Sequence, residues 1–202
     1  MSERTFEEAF NAVFHDKKAF IDFCSIDIKN EVKTFHASNK FIFKTSDKLK
    51  KYLRFIDRVI LSYLAKNETV VHSFTKGKST LTAVQPHRGN SYFFLTDVES
   101  FYPNIKSSDV LRLLERDKNL IPILDIENYI DRLVAMMTIG GSIPIGFSTS
   151  PQLSNAFLFE FDCAVKSFCI DSRLIYTRYA DDIIISGNSF DELSGLRNNI
   201  QK

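Results

Sequence analysis

Apolar residues in the N-terminal third of the chain recur at helical spacing. Residues 5–15 and 17–36 place phenylalanine, valine and isoleucine three or four positions apart, which predicts two amphipathic helices. Residues 47–66 carry a stronger pattern, with lysine and arginine opposite the apolar side and Ser46 or Asp47 placed to cap the first turn. This part of the chain is therefore predicted to be helical.

Farther along, short apolar runs end at turn residues, a pattern typical of strands. Residues 70–79 predict a short strand that leads into a basic glycine turn, and residues 92–98 predict a buried strand. Residues 174–187 predict a β-hairpin. Around these strands the sequence predicts helices from Ser107 or Ser108 to about Asp117, over 126–139, from Ser150 to about Phe168, and from about Phe190.

The composition is that of a folded domain. The chain has 202 residues, of which 44% are hydrophobic and 19 are phenylalanine, enough to build one domain or two small lobes. The N-terminus lacks the apolar stretch of a signal peptide, and no apolar run reaches the roughly 20 residues of a membrane span. Cys24, Cys163 and Cys169 lack zinc-ligand spacing, which favours buried thiols in a reducing compartment. We therefore expect a cytoplasmic protein with no membrane partner.

Charge is divided unevenly along the chain, although the net charge is only +1. Residues 29–91 hold 13 lysines and arginines against 4 acidic residues, whereas residues 92–202 hold 10 against 15. A basic middle segment creates a field suited to phosphates. A solvated helix face explains the same charge run, so the pattern alone leaves both interpretations open.

Three aspartates stand at the ends of predicted strands. Asp181 and Asp182 lie at the turn of the predicted hairpin, and Asp97 lies near the end of the strand over 92–98. Adjacent carboxylates repel, more so beside apolar strands, and a cation such as Mg²⁺ would relieve the repulsion. If these strands are neighbours in one antiparallel sheet, the carboxylates meet and can hold two Mg²⁺ ions about 4 Å apart for phosphoryl transfer. Taken alone, an Asp-Asp hairpin can equally be a solvated turn that only reverses the chain.

Four sequence blocks follow one another between Arg54 and Gly187. They read RFIDRVILSYL with VVHSFTKGKSTLTAVQPH, then FFLTDVESFYPNI, then GSIPIGFSTSPQLSNAFL, and finally YTRYADDIIISG. On these blocks the chain resembles reverse transcriptases, especially the bacterial kind found in retrons, group II introns and phage-defence systems. A lone YADD would be a weak signal, but four blocks in this order and spacing are specific.

The resemblance implies an α+β fold, in which an antiparallel sheet packed by helices forms a polymerase palm beside helical, basic fingers. The implied order is an N-terminal helical extension (1–46), fingers (47–91) and a palm (92–202) whose motifs A, B and C cover 92–105, 140–158 and 174–187. Members of the family continue into a thumb that grips the duplex through phosphate contacts. We expect the thumb to be absent from this chain. A longer protein or a partner chain then supplies it, or the protein grips its primer differently.

Carried over residue by residue, the resemblance makes Asp97 and Asp181 the ligands of a catalytic site with two Mg²⁺ ions, and the Val98 carbonyl a further ligand. Asp182, the other motif C aspartate, is a less direct ligand or holds the turn by hydrogen bonds. Tyr102 stands where the family places an aromatic sugar gate. Such a ring would collide with a ribose 2′-hydroxyl and so favours deoxynucleotides.

Other candidates surround the nucleotide and the primer. The Gly146 backbone would lie beneath the incoming nucleotide, where a side chain would intrude. The remaining candidates are Phe147 and Ser148 on the template-base side, Tyr179 and Ala180 at the primer end and nucleotide sugar, Lys76 and Lys78 for the triphosphate, Arg54 and Arg58 for template or triphosphate, and Arg178 for a buried ion pair or a phosphate contact. Many relatives have glutamine where this chain has Ile145, so selectivity or template use is expected to be unusual.

The implied function is Mg²⁺-dependent, template-directed transfer of dNTPs onto a primer 3′-hydroxyl, copying RNA into DNA in a retron or in anti-phage defence. The expected partners are an RNA template, a DNA or RNA primer, dNTPs and an associated non-coding RNA. Two alternatives stay open. One is a template-independent or protein-primed DNA polymerase of the abortive-infection type, and the other is a non-catalytic RNA-binding subunit.

Overall fold

A computed structural model describes residues 4–15, 17–37, 40–194 and 196. Its α-helices are α1 (Phe6–Phe14), α2 (Phe20–Ser25), α3 (Asp47–Val59), α4 (Thr80–Val84), α5 (Phe101–Asn104), α6 (Ser107–Asp117), α7 (Ile130–Met137), α8 (Ser150–Phe157), α9 (Phe159–Asp171) and α10 (Phe190–Ser194). Its β-strands are β1 (Val32–Ala37), β2 (Lys40–Thr45), β3 (Tyr92–Asp97), β4 (Ile175–Tyr179) and β5 (Asp182–Gly187). Within these described ranges, no helix is both long enough and apolar enough to cross a membrane.

Internal contacts divide the chain into two compact units. Unit 1 consists of Met1–Ala65 and Tyr102–Phe157, and unit 2 of Lys66–Phe101 and Leu158–Lys202, as far as these residues are described. Each unit combines two stretches that are distant in sequence. The domains predicted from the motifs follow chain order instead, and those domain boundaries stay a prediction.

Phenylalanine rings hold the N-terminal helices of unit 1 together. Phe6 and Phe10 of α1 are fully buried, and both contact Phe23 of α2 and Phe55 of α3. The four ring centroid distances lie between 5.4 and 5.7 Å, in the range where aromatic pairs attract. The first predicted helix is confirmed, because its four-residue spacing places both α1 rings on one face.

The second predicted helix, over 17–36, is wrong after its first turns. α2 ends at Ser25, and the chain goes on through a 3₁₀ turn into β1, which pairs antiparallel with β2. Pairing with residues that come later in the chain gives the backbone N–H and C=O groups of this segment their hydrogen bonds. The segment therefore forms a strand, although its apolar residues have helical spacing. Phe35 and Phe41 remain 49% and 61% exposed on this hairpin.

α3 confirms the strongest predicted helix, although it ends earlier than expected. Ser46 is the N-cap, since its hydroxyl accepts the Leu49 N–H at 3.1 Å. The helix ends at Val59, and only a 3₁₀ turn over Leu61–Tyr63 follows it. The buried face consists of Leu49, Tyr52, Leu53, Phe55 and Ile56.

Two further helices of unit 1 begin at other residues than predicted. Lys106 occupies the cap position of α6, where its N–H donates to the Asp109 carboxylate at 2.8 Å, so neither Ser107 nor Ser108 is the cap. The helix predicted over 126–139 starts as a 3₁₀ turn and becomes α-helical only in α7.

The helix predicted from Ser150 to Phe168 is interrupted at Leu158, which lies between α8 and α9 and marks the boundary of the two units. Ser150 does not cap α8. Its hydroxyl donates to the Pro144 carbonyl at 2.7 Å, whereas the Thr149 carbonyl accepts the first helical hydrogen bond, from Leu153.

Unit 2 contains a three-stranded antiparallel sheet in the order β3-β5-β4. Helices α9 and α10 pack on it through a core formed by Val165, Cys169, Leu174, Tyr176, Ile183, Ile185, Leu193 and Leu196, with Val70 and Val71. An antiparallel sheet packed by helices is the predicted mixed fold. The short strand predicted at the start of 70–79 is not formed, since Val71 makes only an isolated parallel bridge to Arg178, whereas the predicted turn at Gly77 is present.

β3 differs from the buried strand that the sequence predicts. It forms an edge of the sheet, and Phe93 and Leu95 are 53% and 69% exposed. A continuous apolar run is typical of a strand that is buried on both faces. Here the run forms an edge strand, so it does not indicate burial on both faces.

The motif B loop of unit 1 passes very close to β2. The Phe43 N–H donates to the Ile145 carbonyl at 2.8 Å, and Gly146 follows with a φ of +108°. A Cβ atom on Gly146 would lie 2.3 Å from the Phe43 carbonyl oxygen. Glycine is required here by a neighbouring backbone, independently of any nucleotide.

Gly146→Ala should therefore destabilise the protein more than Gly141→Ala, which shares a positive φ but has open space around it. We expect Gly141→Ala to lower the free energy of unfolding by about 1–2 kcal/mol, the cost of a positive φ for an L-residue. Gly146→Ala should lower it by about 1–3 kcal/mol more, because the Phe43 backbone must move. Urea unfolding measures both, and equal losses would contradict the proposed close approach.

Candidate active site

The strands that end in aspartate are neighbours in the sheet of unit 2. β3 pairs antiparallel with β5, and Asp97 lies directly opposite Asp182. The Val98 N–H donates to the Asp181 carbonyl at 3.0 Å, one residue beyond this pair on each strand. Asp97 and Asp182 therefore form a non-hydrogen-bonded pair, the kind in which facing side chains are closest. This register confirms the predicted meeting of the two strand ends.

The hairpin of β4 and β5 is also confirmed, with one change. Only Asp181 lies in the turn, next to Ala180, whereas Asp182 is the first residue of β5. Ala180 adopts a φ of +56°, a left-handed conformation that is unusual for a residue with a side chain. Tyr179 ends β4 opposite Asp182, so Tyr179, Asp182 and Asp97 stand in one row across the sheet.

Asp97 and Asp182 point to the same face of the sheet, because directly opposed residues share a face, and both are exposed. Like charges in this arrangement destabilise a sheet. In the described part of the chain, no group of three or more His, Cys, Asp or Glu side chains is arranged to hold a metal ion. The donor set still fits Mg²⁺, which commonly takes one or two carboxylates and completes its shell with water and substrate phosphates.

A buried ion pair lies behind the hairpin. Arg178 of β4 and Asp162 of α9 have no solvent exposure, and two guanidinium nitrogens donate to the two carboxylate oxygens at 2.8 and 2.7 Å. The Tyr176 hydroxyl donates to the same carboxylate at 2.6 Å, and burial raises the pKa of this hydroxyl. Of the two predictions for Arg178, the buried ion pair is therefore confirmed.

Asp162 was not among the sequence candidates, although the sequence contains a signal for it. Leu158, Val165 and Cys169 are buried on one face of the α9 segment, and Asp162 falls on the same face. A carboxylate on an apolar stripe must find a buried cation or hydrogen-bond donor.

A second buried network supports the face that carries the carboxylates. His87 is 1% exposed, and its Nε2 and Nδ1 lie 2.8 Å from Thr177 Oγ1 and 2.6 Å from Ser186 Oγ. Thr177 donates its hydroxyl proton to the Ala83 carbonyl, so it must accept from Nε2. Asn90 donates to Ser186 at 2.7 Å, which leaves the serine proton for Nδ1. These contacts fit the neutral imidazole with its proton on Nε2.

The two lysine candidates differ in exposure and in hydrogen bonding. Lys76 is exposed, whereas Lys78 is partly buried and donates to the carbonyls of Val71, at 2.9 Å, and Glu68. Burial lowers the pKa of Lys78. The Lys78 ammonium is therefore already hydrogen-bonded to the loop that precedes it. The triphosphate contact of both lysines stays a prediction.

The remaining candidates belong to unit 1. Arg54 and Arg58 are exposed on α3, and Tyr102 is half-buried in α5. Phe147 is only 2% exposed, so its predicted contact with a template base would require its surroundings to open. The Ser148 hydroxyl is buried without a hydrogen-bond partner in the described residues. The roles of these residues stay predictions.

Protonation of His87 should lower the free energy of unfolding at low pH. Burial lowers the pKa of His87 below its ordinary value of 6.5, so below that pH the unfolded chain binds more protons than the folded one. The stability that depends on neutral His87 is complete above about pH 6.5 and declines as the pH falls, by at most about 1.4 kcal/mol per pH unit.

Urea unfolding between about pH 7.5 and 5.5 tests this dependence, with His87→Gln as the variant that cannot titrate. We expect a shallower pH dependence in His87→Gln than in the wild type. Some dependence should remain, since burial also lowers the pKa of His72. Equal slopes in the two proteins would contradict the assignment to His87.

A family model and several known proteins match this chain. The family model described as reverse transcriptase (RNA-dependent DNA polymerase) matches residues 36–202. The chain is 28% identical over 150 residues to the retron Ec83 reverse transcriptase of Escherichia coli, covering 68% of this chain and 46% of the relative. It is 27% identical to the E. coli retron Ec86 reverse transcriptase, covering 77% and 47%, and 27% identical to the retron Mx65 reverse transcriptase of Myxococcus xanthus, covering 73% and 38%.

This chain therefore spans about half the length of these relatives, or less. The family match nevertheless covers most of the chain and includes both aspartate-bearing strand ends. The chain belongs to the reverse transcriptase family.

Proposed function

We propose that this chain carries the nucleotidyl-transfer site of an RNA-directed DNA polymerase, which adds dNTPs to a primer 3′-hydroxyl opposite an RNA template. The observation that carries the proposal is the register of β3 and β5, which sets Asp97 opposite Asp182 and leaves Asp181 on the adjoining turn. A like-charge pair at this position destabilises the sheet, and a divalent cation would relieve that cost.

In this proposal Asp97 and Asp181 hold Mg²⁺ together with the Val98 carbonyl, and Asp182 completes the acidic edge. When bound, two such ions would lower the pKa of the primer hydroxyl and neutralise the charge on the triphosphate and the departing pyrophosphate. The protein contributes a fixed backbone at this edge, because the Val98 N–H holds the Asp181 carbonyl at 3.0 Å. Rigid placement of the carboxylates is what such positioning chemistry requires.

Further residues are proposed to contact the substrates. Tyr179 shares a row with Asp182 and Asp97, which favours a contact with the primer end. Lys76 is exposed and would meet the triphosphate as a point charge. Tyr102 would exclude a ribose 2′-hydroxyl.

A retron-type role is part of the proposal, because the relatives described above are retron reverse transcriptases. The expected partner is then a structured RNA that serves as template. Sequencing the RNA that co-purifies with the protein, and the DNA made with and without that RNA, tests this role. Identical DNA products in both reactions would indicate synthesis without a template.

Asp181→Asn should abolish Mg²⁺-dependent dNTP incorporation, with a loss of at least about 100-fold, equivalent to about 3 kcal/mol of lost transition-state stabilisation. The variant should fold at least as well as the wild type, since it removes one of three neighbouring negative charges. Primer extension with labelled dNTPs measures the first effect and thermal unfolding the second.

Asp171→Asn is the matched control, because it removes the same charge from an exposed position at the end of α9 in the same unit. It should retain wild-type incorporation. Normal incorporation by Asp181→Asn would refute the proposed site.

Tyr102→Ala should admit ribonucleotides, because it removes the ring that would collide with the 2′-hydroxyl. We expect the ratio of dNTP to rNTP incorporation to fall by at least about 10-fold, which corresponds to about 1.4 kcal/mol. Tyr102→Phe keeps the ring and should keep the selectivity. Competition assays with paired dNTP and rNTP check this, and an unchanged ratio in Tyr102→Ala would reject the gate.

A further inference from the structure

The peptide group that precedes Asp181 is held by an arginine. Nη1 of Arg178 donates to the Ala180 carbonyl oxygen at 2.6 Å. That carbonyl belongs to the planar peptide unit joining Ala180 to Asp181, so the hydrogen bond fixes the plane from which the Asp181 backbone continues. It also restrains Ala180 in its left-handed conformation, with a φ of +56°.

The peptide group that follows Asp181 is held as well. The Val98 N–H of the neighbouring strand end donates to the Asp181 carbonyl at 3.0 Å. The Cα atom of Asp181 therefore lies between two anchored peptide planes. Once both planes are fixed, only the two side-chain torsions of Asp181 remain free to aim its carboxylate.

Arg178 can serve as an anchor because it is itself immobilised. Asp162 accepts from two of its guanidinium nitrogens, and the Tyr176 hydroxyl donates to the same carboxylate. Both charges have no solvent exposure. Arg178 is the residue of β4 that precedes Tyr179, whose side chain shares the face of Asp182, so strand alternation puts the guanidinium on the opposite face from the carboxylates.

We infer that Asp162 and Arg178 are positioning residues for the metal-binding edge. Helix α9 holds Arg178 through Asp162, and Arg178 sets the Ala180–Asp181 peptide, which aims Asp181 toward the metal. The inference rests on the proposed function, because Asp162 and Arg178 can position a metal ligand only if Asp181 binds a cation. Groups behind a metal ligand characteristically change metal affinity when they are removed.

Arg178→Lys tests the inference, since lysine keeps the positive charge but lacks the planar fork that reaches Asp162 and Ala180 together. Mn²⁺ binding to the purified protein, followed by electron paramagnetic resonance, reports affinity without requiring catalysis. We expect the dissociation constant for Mn²⁺ to rise about 10- to 100-fold. Primer extension should need a correspondingly higher Mg²⁺ concentration.

Tyr176→Phe is the matched control from the same buried network. It removes the hydrogen bonds of the Tyr176 hydroxyl with Asp162 and Arg178 but leaves the contact between Arg178 and Ala180 in place. It should lower the melting temperature while its Mn²⁺ dissociation constant stays within about twofold of the wild type, because the anchored peptide is untouched. A merely structural role would make both variants lose stability and neither lose affinity.

A third variant covers the case in which Arg178→Lys does not fold. Asp162→Leu, Tyr176→Phe and Arg178→Met together replace the network by apolar side chains, an exchange that buried ion pairs often tolerate. This protein should fold and bind Mn²⁺ as weakly as Arg178→Lys.

Two results would overturn the inference. Wild-type Mn²⁺ affinity in a folded variant without the Arg178 guanidinium would reject the positioning role and leave the proposed function intact. A wild-type protein that binds Mn²⁺ no better than Asp181→Asn would overturn the positioning role and the proposed function together.

Discussion

Asp162 and Arg178 form an ion pair without solvent exposure between helix α9 and strand β4. Two buried charges lose their hydration, and their attraction compensates for this only when the geometry is good and the remaining donors are satisfied. Here the guanidinium meets the carboxylate with two hydrogen bonds and uses a third nitrogen for the Ala180 carbonyl. Loss of one partner would leave a buried charge uncompensated, at a cost of about 3–5 kcal/mol. The hairpin of unit 2 thus depends on a partner outside the sheet.

Neutral side chains form hydrogen bonds on the other face of the same sheet. His87 joins Thr177 of β4 to Ser186 of β5, and each of its ring nitrogens has a partner. Between these supports, the strand ends bring Asp97 and Asp182 together, which by itself weakens the pairing. The contacts of Arg178 and His87 therefore hold together the strands on which these like charges meet.

Several motif residues are explained by contacts within the protein, without any contact to a substrate. Gly146 is glycine because the Phe43 carbonyl leaves no space for a Cβ atom. Lys78 donates to backbone carbonyls of the preceding loop, and Phe147 belongs to a buried interior. A residue in a sequence motif can therefore be required for packing or for chemistry, and only its contacts show which.

The sequence by itself determined the features that a short window contains. These are the Ser46 cap of α3, the hairpin around Asp181, the position of Asp97 at a strand end, and the family, because caps, turns and motifs depend on residues a few positions apart. The tertiary structure alone decided that β1 pairs with β2, that Asp162 neutralises Arg178, that His87 bridges β4 and β5, and that Phe43 closes on Gly146. The last two join residues from distant parts of the chain, so their energies depend on packing that no local periodicity reports. For Asp162, the apolar stripe of α9 indicates a buried partner, and only the fold shows that this partner is Arg178.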